Sequence, residues 1–208
     1  MSLAVCLAGG GVKGAAHIGV LKAIEEENLE YDYITGTSSG SIVASLNAMG
    51  YNSDEIYKLF IFSNIEKRGR FLDDIKYINS IGIGKAVRAS CSYPGVFSPC
   101  EYKDTELIDG GIRENLPWKT AKLCGADKVF CIKFQSEKEL KKNKNIIDIV
   151  SRSISILCHE LSNYELDGAD YLLTLKTENI SLLDYSKIDE LYELGYKEGK
   201  KFLQNNKI

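Results

Sequence analysis

Several features that define large functional classes are scarce or absent in this 208-residue sequence. No apolar run approaches the ~18–20 residues that a membrane-spanning helix needs. The net charge is −3, so we expect no basic surface of the kind that binds nucleic acid by displacing phosphate counterions. The six cysteines include no C-x-x-C pair and no metal-ligand spacing. We therefore predict no metal site, no cofactor and free thiols in a reducing compartment.

The remaining composition is typical of one globular domain. Hydrophobic residues make up 44% of the chain and charged residues 26%, and 208 residues suffice for a single well-buried core. The first eight residues are apolar but have no basic segment before them, so we interpret them as a strand and not as a signal peptide. We expect a single domain over residues 1–208 and a cytoplasmic location.

Apolar strand-like runs alternate with helical patterns along the chain. Strands are predicted at 3–8, 31–37, 105–108, 128–134 and 170–175, and helices at 14–27, 39–49, 52–62, 85–92, 117–124, 146–166 and 187–204. This alternation predicts an α/β fold, a three-layer sandwich with a mostly parallel central sheet flanked by helices. The segment from 63 to 84 has no clear pattern.

A glycine-rich loop follows the first predicted strand and exposes a row of backbone N–H groups at a helix start: Gly9, Gly10, Gly11, Val12, Lys13 and Gly14. Gly9, Gly11 and Gly14 satisfy the G-x-G-x-x-G pattern of dinucleotide sites. That site needs an acid at the end of the second strand, however, and Asp32 lies at its start. A P-loop is disfavoured because no Gly-Lys-Ser/Thr closes the loop. An anion-binding loop is favoured, and a simple packing turn stays the alternative.

A G-x-S-x-G elbow follows the second predicted strand. Gly36 and Gly40 bracket Ser38, which such an elbow presents above a strand-to-helix turn as a nucleophile. The following residue, Ser39, would donate its N–H to an oxyanion at the helix start. The alternative is a serine- and glycine-rich helix cap.

A serine hydroxyl needs a base to remove its proton. His159 lies within a predicted helix and His17 lies one turn into the first helix, so neither is well placed to act as that base. Asp109 follows a short predicted strand and precedes Gly110 and Gly111, which allow close approach of the backbone. Asp109 is thus the favoured base, although an Asp-Gly turn is the alternative, and burial would be needed to strengthen the carboxylate.

Four stretches together resemble the patatin-like phospholipase family. They are, in order, the glycine loop with the helix start to residue 21, the elbow, Arg88–Phe97 and Asp109–Pro117. The predicted strand at 129–134 and the last helix around residues 194–196 are also similar, so the resemblance covers nearly the whole chain. The resemblance implies an acyl hydrolase of lipid or acyl-ester substrates with a Ser38–Asp109 dyad and no catalytic histidine. It also implies oxyanion donors at Gly10, Gly11 and Val12, with Lys13 at the family's usual basic position. A dinucleotide-binding protein and a catalytically silent protein of the same fold are the alternatives.

The sequence departs from that family in the segment between the elbow helix and Arg88. Family members usually carry a considerably longer stretch there than residues 63–84, so either this is a compact variant or a region is missing. A shortened segment implies a more open acyl site.

Exposed aromatic residues would support transient contact with a membrane surface, and the candidates are Phe60, Phe62, Phe71 and Phe97. Such residues more often lie in a core, which is the alternative. The sequence leaves the oligomeric state open.

Overall fold

The computed structural model describes residues 1–65, 81–135, 146–164, 166–177, 180–206 and 208. The strands are β1 (Leu3–Leu7), β2 (Tyr33–Gly36), β3 (Cys100–Tyr102), β4 (Thr105–Leu107), β5 (Lys128–Phe134) and β6 (Tyr171–Leu175). The helices are α1 (Gly14–Glu26), α2 (Ser39–Ala48), α3 (Ser53–Ile65), α4 (Ile83–Ser90), α5 (Trp118–Leu123), α6 (Ile146–Tyr164) and α7 (Ile188–Asn205).

Four of the strands form a parallel sheet in the order β2-β1-β5-β6. The two central strands are apolar, apart from Lys128 and Lys133 in β5, because both of their faces are buried. Leu7 pairs with Gly36 on one side and with Ile132 on the other, so β1, β2 and β5 end at the same edge. That edge receives both the glycine loop and the serine elbow.

Helices cover both faces of the sheet. Residues of α1, α2, α3 and α7 form the larger core with Phe130 and Ile132 of β5. Gly195 of α7 lies so close to α1 that a Cβ there would sit 1.9 Å from the Ala16 carbonyl oxygen. The smaller core joins α5 to the opposite face of β1 and β5. On that face α6 contacts β5 through a 2.6 Å hydrogen bond from Lys133 Nζ to Asn163 Oδ1. The predicted three-layer α/β fold is confirmed.

The structure refines the prediction in two places. The predicted strand at 105–108 does not join the main sheet, because β4 pairs only with β3 in an antiparallel hairpin. Helix α3 begins after Asn52, whose side chain accepts a 3.0 Å hydrogen bond from the Glu55 N–H, while the Glu55 side chain accepts one from the Asn52 N–H.

Residues 66–80 of the shortened segment, with Phe71, lie outside the described residues. Among the helices that are described, none has the length and apolar character to cross a membrane.

Candidate active site

The serine elbow joins β2 to α2 at the carboxyl edge of the sheet. Ser38 has φ 50° and ψ −123°, a sparsely populated backbone conformation that costs a residue other than glycine about 1–3 kcal/mol. A Cβ on Gly36 would lie 2.2 Å from the Gly40 carbonyl oxygen, and one on Gly40 would lie 2.5 Å from the Leu7 carbonyl oxygen. Both positions therefore require glycine, and the turn raises the Ser38 side chain above the start of α2.

Asp109 follows the hairpin and meets Ser38 from the neighbouring segment. Its Oδ2 accepts a 2.8 Å hydrogen bond from Ser38 Oγ, and its Oδ1 accepts a 2.8 Å bond from the Gly111 N–H. Its own N–H donates to the Ser92 carbonyl at 3.1 Å. Asp109 is only 5% exposed. Asp109 is thus held by three hydrogen bonds, two of them to its carboxylate, and is largely withdrawn from water.

Burial changes the acid–base character of this carboxyl group. Desolvation raises the pKa of Asp109, and the hydrogen bonds from Gly111 and Ser38 offset part of that increase. A carboxylate with a raised pKa is a stronger base at neutral pH than an ordinary aspartate. Burial therefore gives Asp109 the greater basicity that a serine–aspartate pair needs to remove the serine proton.

The glycine loop lies beside the serine. A Cβ on Gly9 would lie 3.2 Å from Ser38 Cβ. Four amides of the loop already donate hydrogen bonds to main-chain carbonyls: Gly9 to Asn115, Val12 to Leu182, Lys13 to Gly10 and Gly14 to Gly11. The N–H groups of Gly10 and Gly11 have no acceptor among the described residues, and neither does that of Ser39.

This distribution changes the predicted set of oxyanion donors. The Val12 amide, expected as a donor, makes a 2.8 Å hydrogen bond to Leu182, so it is not available in this arrangement. Gly9, Lys13 and Gly14 shape the loop but also have their amides occupied. Gly10, Gly11 and Ser39 are the candidates whose amides have no acceptor among the described residues.

A contact that sequence reasoning missed supports the elbow from α4. The Ser38 N–H donates a 2.8 Å hydrogen bond to Ser90 Oγ. A Cβ on Gly110 would lie 3.1 Å from the same Ser90 oxygen, so Ser90 fits between the elbow and the Asp109 turn. Ser90 lies in one of the four stretches that carry the family resemblance, but nothing in that stretch indicated this contact.

Two threonine hydroxyls tie β2 and the elbow to the segment that follows Asp109. Thr37 Oγ1 donates to the Glu114 carbonyl at 2.8 Å, and Thr35 Oγ1 donates to the Pro117 carbonyl at 3.0 Å. The segment also accepts the Gly9 amide. It therefore connects the elbow, the glycine loop and the aspartate turn.

Both histidines make their hydrogen bonds away from the Ser38–Asp109 pair. His17 is fully buried, its Nε2 lies 2.8 Å from the Ala8 carbonyl, and burial lowers its pKa to about 4. His159 pairs with Asn163 at 2.8 Å, and desolvation lowers its pKa. Within the described part of the chain, neither histidine hydrogen-bonds Ser38 or Asp109.

The dinucleotide alternative finds no support in the position of Asp32. That side chain accepts a 2.9 Å hydrogen bond from the Leu3 N–H, so it lies where β1 begins. A cavity of about 650 Å³ lies at this end of the sheet, lined in part by Glu30 and Asp32. A ribose-binding acid belongs at the carboxyl edge, which the elbow occupies.

Comparisons with known proteins agree with this architecture. The sequence profile of the patatin-like phospholipase family matches residues 5–81 and 71–122, together more than half of the chain. Lysophospholipase NTE1 of Meyerozyma guilliermondii is 27% identical over 271 aligned positions, which cover 94% of this chain and 19% of that protein. The Saccharomyces cerevisiae protein of that name is 24% identical, covering 98% of this chain and 16% of its own length. The chain thus spans less than a fifth of the curated relatives it matches.

A solved structure extends the comparison to the fold. The crystal structure of VipD from Legionella pneumophila has a TM-score of 0.64 to this chain. The match covers 98% of this chain and 67% of the other, at 14% sequence identity. At that identity the match is evidence for the three-layer fold alone.

Proposed function

Because this chain belongs to the patatin-like phospholipase family, we propose that it is a serine hydrolase of carboxylic esters that releases fatty acids from phospholipids or lysophospholipids. The relatives named lysophospholipase favour a lipid substrate. The observation that carries the proposal is the 2.8 Å hydrogen bond from Ser38 Oγ to the buried carboxylate of Asp109.

The proposed reaction has two steps. Asp109 takes the hydroxyl proton while Ser38 Oγ attacks the ester carbonyl carbon, and the carbonyl oxygen becomes an oxyanion. The tetrahedral intermediate then expels the alcohol, which receives the proton from Asp109, and leaves an acyl-serine ester. Water gives a proton to Asp109 and attacks that ester, and collapse of the second intermediate returns the proton to Ser38 and frees the fatty acid.

The oxyanion is assigned to three main-chain donors. The amides of Gly10 and Gly11, in the loop beside Ser38, and of Ser39, the next residue in the elbow, have no acceptor within the described residues. The positive end of the α2 dipole adds to their effect, because α2 begins at Ser39. Loss of one such donor typically costs ~2.7–4 kcal/mol of transition-state stabilisation.

Hydrolysis of p-nitrophenyl butyrate by purified variants tests this assignment. Ser38→Ala and Asp109→Asn should each reduce kcat to near the background rate, while His159→Gln should keep most of the parent activity. The matched control is Ser153→Ala, which removes a hydroxyl from the exposed side of α6. Parent-like turnover by either dyad variant would exclude the dyad. An inactive but folded parent would favour the catalytically silent alternative.

Transient contact with a lipid surface is a further part of the proposal. Phe60 does not contribute as predicted, since it is 5% exposed and packs in the larger core. Exposed apolar residues lie instead on α6, where Ile156 is 50% and Leu157 68% exposed. Co-sedimentation with phosphatidylcholine vesicles tests this part: Leu157→Asp should reduce the bound fraction, and an unchanged fraction would remove α6 from the proposal.

A further inference from the structure

A cavity of about 290 Å³ lies between α2 and α4, next to the serine elbow. The described residues that line it carry no charged side chain, and its apolar walls are formed by Ile34, Ala44, Ala48, Ile83, Ala86 and Val87. Ligand pockets typically enclose ~300–1,000 Å³. This cavity is slightly smaller than that and open to solvent on one side, and it can take part of a lipid, such as one hydrocarbon chain.

The hydroxyl groups that border the cavity are already bonded to the main chain. Ser41 Oγ donates to the Ser38 carbonyl at 2.6 Å, and Ser45 Oγ donates to the Ile42 carbonyl at 3.0 Å. Ser90 Oγ accepts the Ser38 N–H. Since these oxygens are engaged by protein groups, a ligand in the cavity meets mainly methyl and methylene surface. That surface suits an apolar ligand.

The cavity is also adjacent to the reacting oxygen. Gly36, Ser41 and Ser90 line it, and these residues surround Ser38 in the elbow. The thiol of Cys91 lies against the hydroxyls of both Ser38 and Ser41. Cys91 therefore lies close to the nucleophile and to Ser41, a residue of the cavity wall.

We propose that the cavity between α2 and α4 binds the fatty-acyl chain of the substrate and that the small residues of its wall set the accepted chain length. The inference rests on the proposed ester hydrolysis. The acyl carbon bonds to Ser38 Oγ, and the chain passes Cys91 into the cavity. Ala48 at the end of α2 and Ala86 in α4 leave the space that the chain fills. A larger side chain at either position shortens the chain that fits.

Chain-length profiles of two filling variants test the proposal. Ala48→Phe and Ala86→Phe are compared with Lys85→Phe, which adds the same ring to the exposed side of α4. The measurement is kcat/KM for p-nitrophenyl butyrate and p-nitrophenyl laurate. Each filling variant should lower the laurate-to-butyrate ratio by about tenfold or more, because excluding even one methylene from an apolar pocket is worth ~10–200-fold. Butyrate hydrolysis should stay within about threefold of the parent, and Lys85→Phe should not change the ratio.

A binding measurement separates this inference from the proposed reaction. In the Ser38→Ala background, a dansyl-labelled fatty acid should bind with a fluorescence increase, and Ala48→Phe should weaken that binding by about tenfold. An unchanged laurate-to-butyrate ratio, or unchanged binding of the fatty acid, overturns the cavity assignment. An equal loss of both esters also overturns it, since the substitution then acts on the dyad. Fatty-acid binding by a parent that hydrolyses neither ester supports the cavity and contradicts the proposed function.

Discussion

Replacing Ser90 by alanine probes how the elbow is held in its strained conformation. Ser38 has a positive φ, and the hydrogen bond from its N–H to Ser90 Oγ is an interaction that favours this geometry. Leaving a buried N–H without its acceptor typically costs about 1–3 kcal/mol of stability. The pair is only partly buried, so the lower part of that range applies. A loss of about 1–2 kcal/mol corresponds to about a 5- to 30-fold smaller population of the competent elbow.

The assay is steady-state hydrolysis of p-nitrophenyl butyrate. Ser90→Ala should lower kcat about 5- to 30-fold with little change in KM, because the serine is misplaced while the rest of the site is kept. The acid limb of the pH profile should move to higher pH, since the Ser38 hydrogen bond that lowers the pKa of Asp109 is lost wherever the serine is misplaced. Ser90→Thr, which keeps the hydroxyl, should restore most of the rate. Full activity of Ser90→Ala, or an acid limb that moves to lower pH, would refute this reasoning.

Three further expectations concern the aspartate and the elbow glycine. Asp109→Asn should be inactive yet melt at a higher temperature than the parent at pH 7. The pKa of Asp109 is higher in the folded than in the unfolded state, so its ionisation at neutral pH destabilises the fold. The difference in melting temperature between variant and parent should therefore shrink as the pH falls toward the unfolded-state pKa. The rate of the parent should fall on the acid side with a midpoint above the ~3.9 of an ordinary aspartate, and His159→Gln should leave that midpoint in place. A midpoint that follows the histidine would reverse the assignment of the base. Gly40→Ala should lower the free energy of unfolding by about 1–3 kcal/mol or more, because its Cβ would meet the Leu7 carbonyl oxygen at 2.5 Å. Urea unfolding measures this loss, and an unchanged midpoint would show that the elbow tolerates a side chain.

The sequence was most informative where local chemistry restricts the backbone. Buried parallel strands need continuous apolar runs, so β1 and β5 were located to within one residue at each end. The elbow was visible because both of its glycines are sterically required, Gly36 by its close approach to Gly40 and Gly40 by its close approach to the end of β1 at Leu7. The hairpin of β3 and β4 was missed as a pair because three-residue strands are too short to show a periodic pattern.

The contacts that complete the site were not predictable in the same way. The Val12 amide is occupied by the carbonyl of Leu182, a residue far along the chain, and no local pattern reports such a partner. Ser90 reaches the elbow only because α4 packs beside α2. Phe60 lies in an apolar stretch whose buried side is decided by how α3 packs against α1. Each of these depends on the tertiary arrangement.

The central claim is that Ser38 is a nucleophile activated by Asp109, and covalent labelling tests it most directly. The protein is treated with a fluorophosphonate probe, digested and mapped by mass spectrometry. We predict one adduct, on Ser38, and about background labelling in the Asp109→Asn variant when that variant is folded. An adduct on a different serine, no adduct in the folded parent, or undiminished labelling of Ser38 without the carboxylate would contradict the claim.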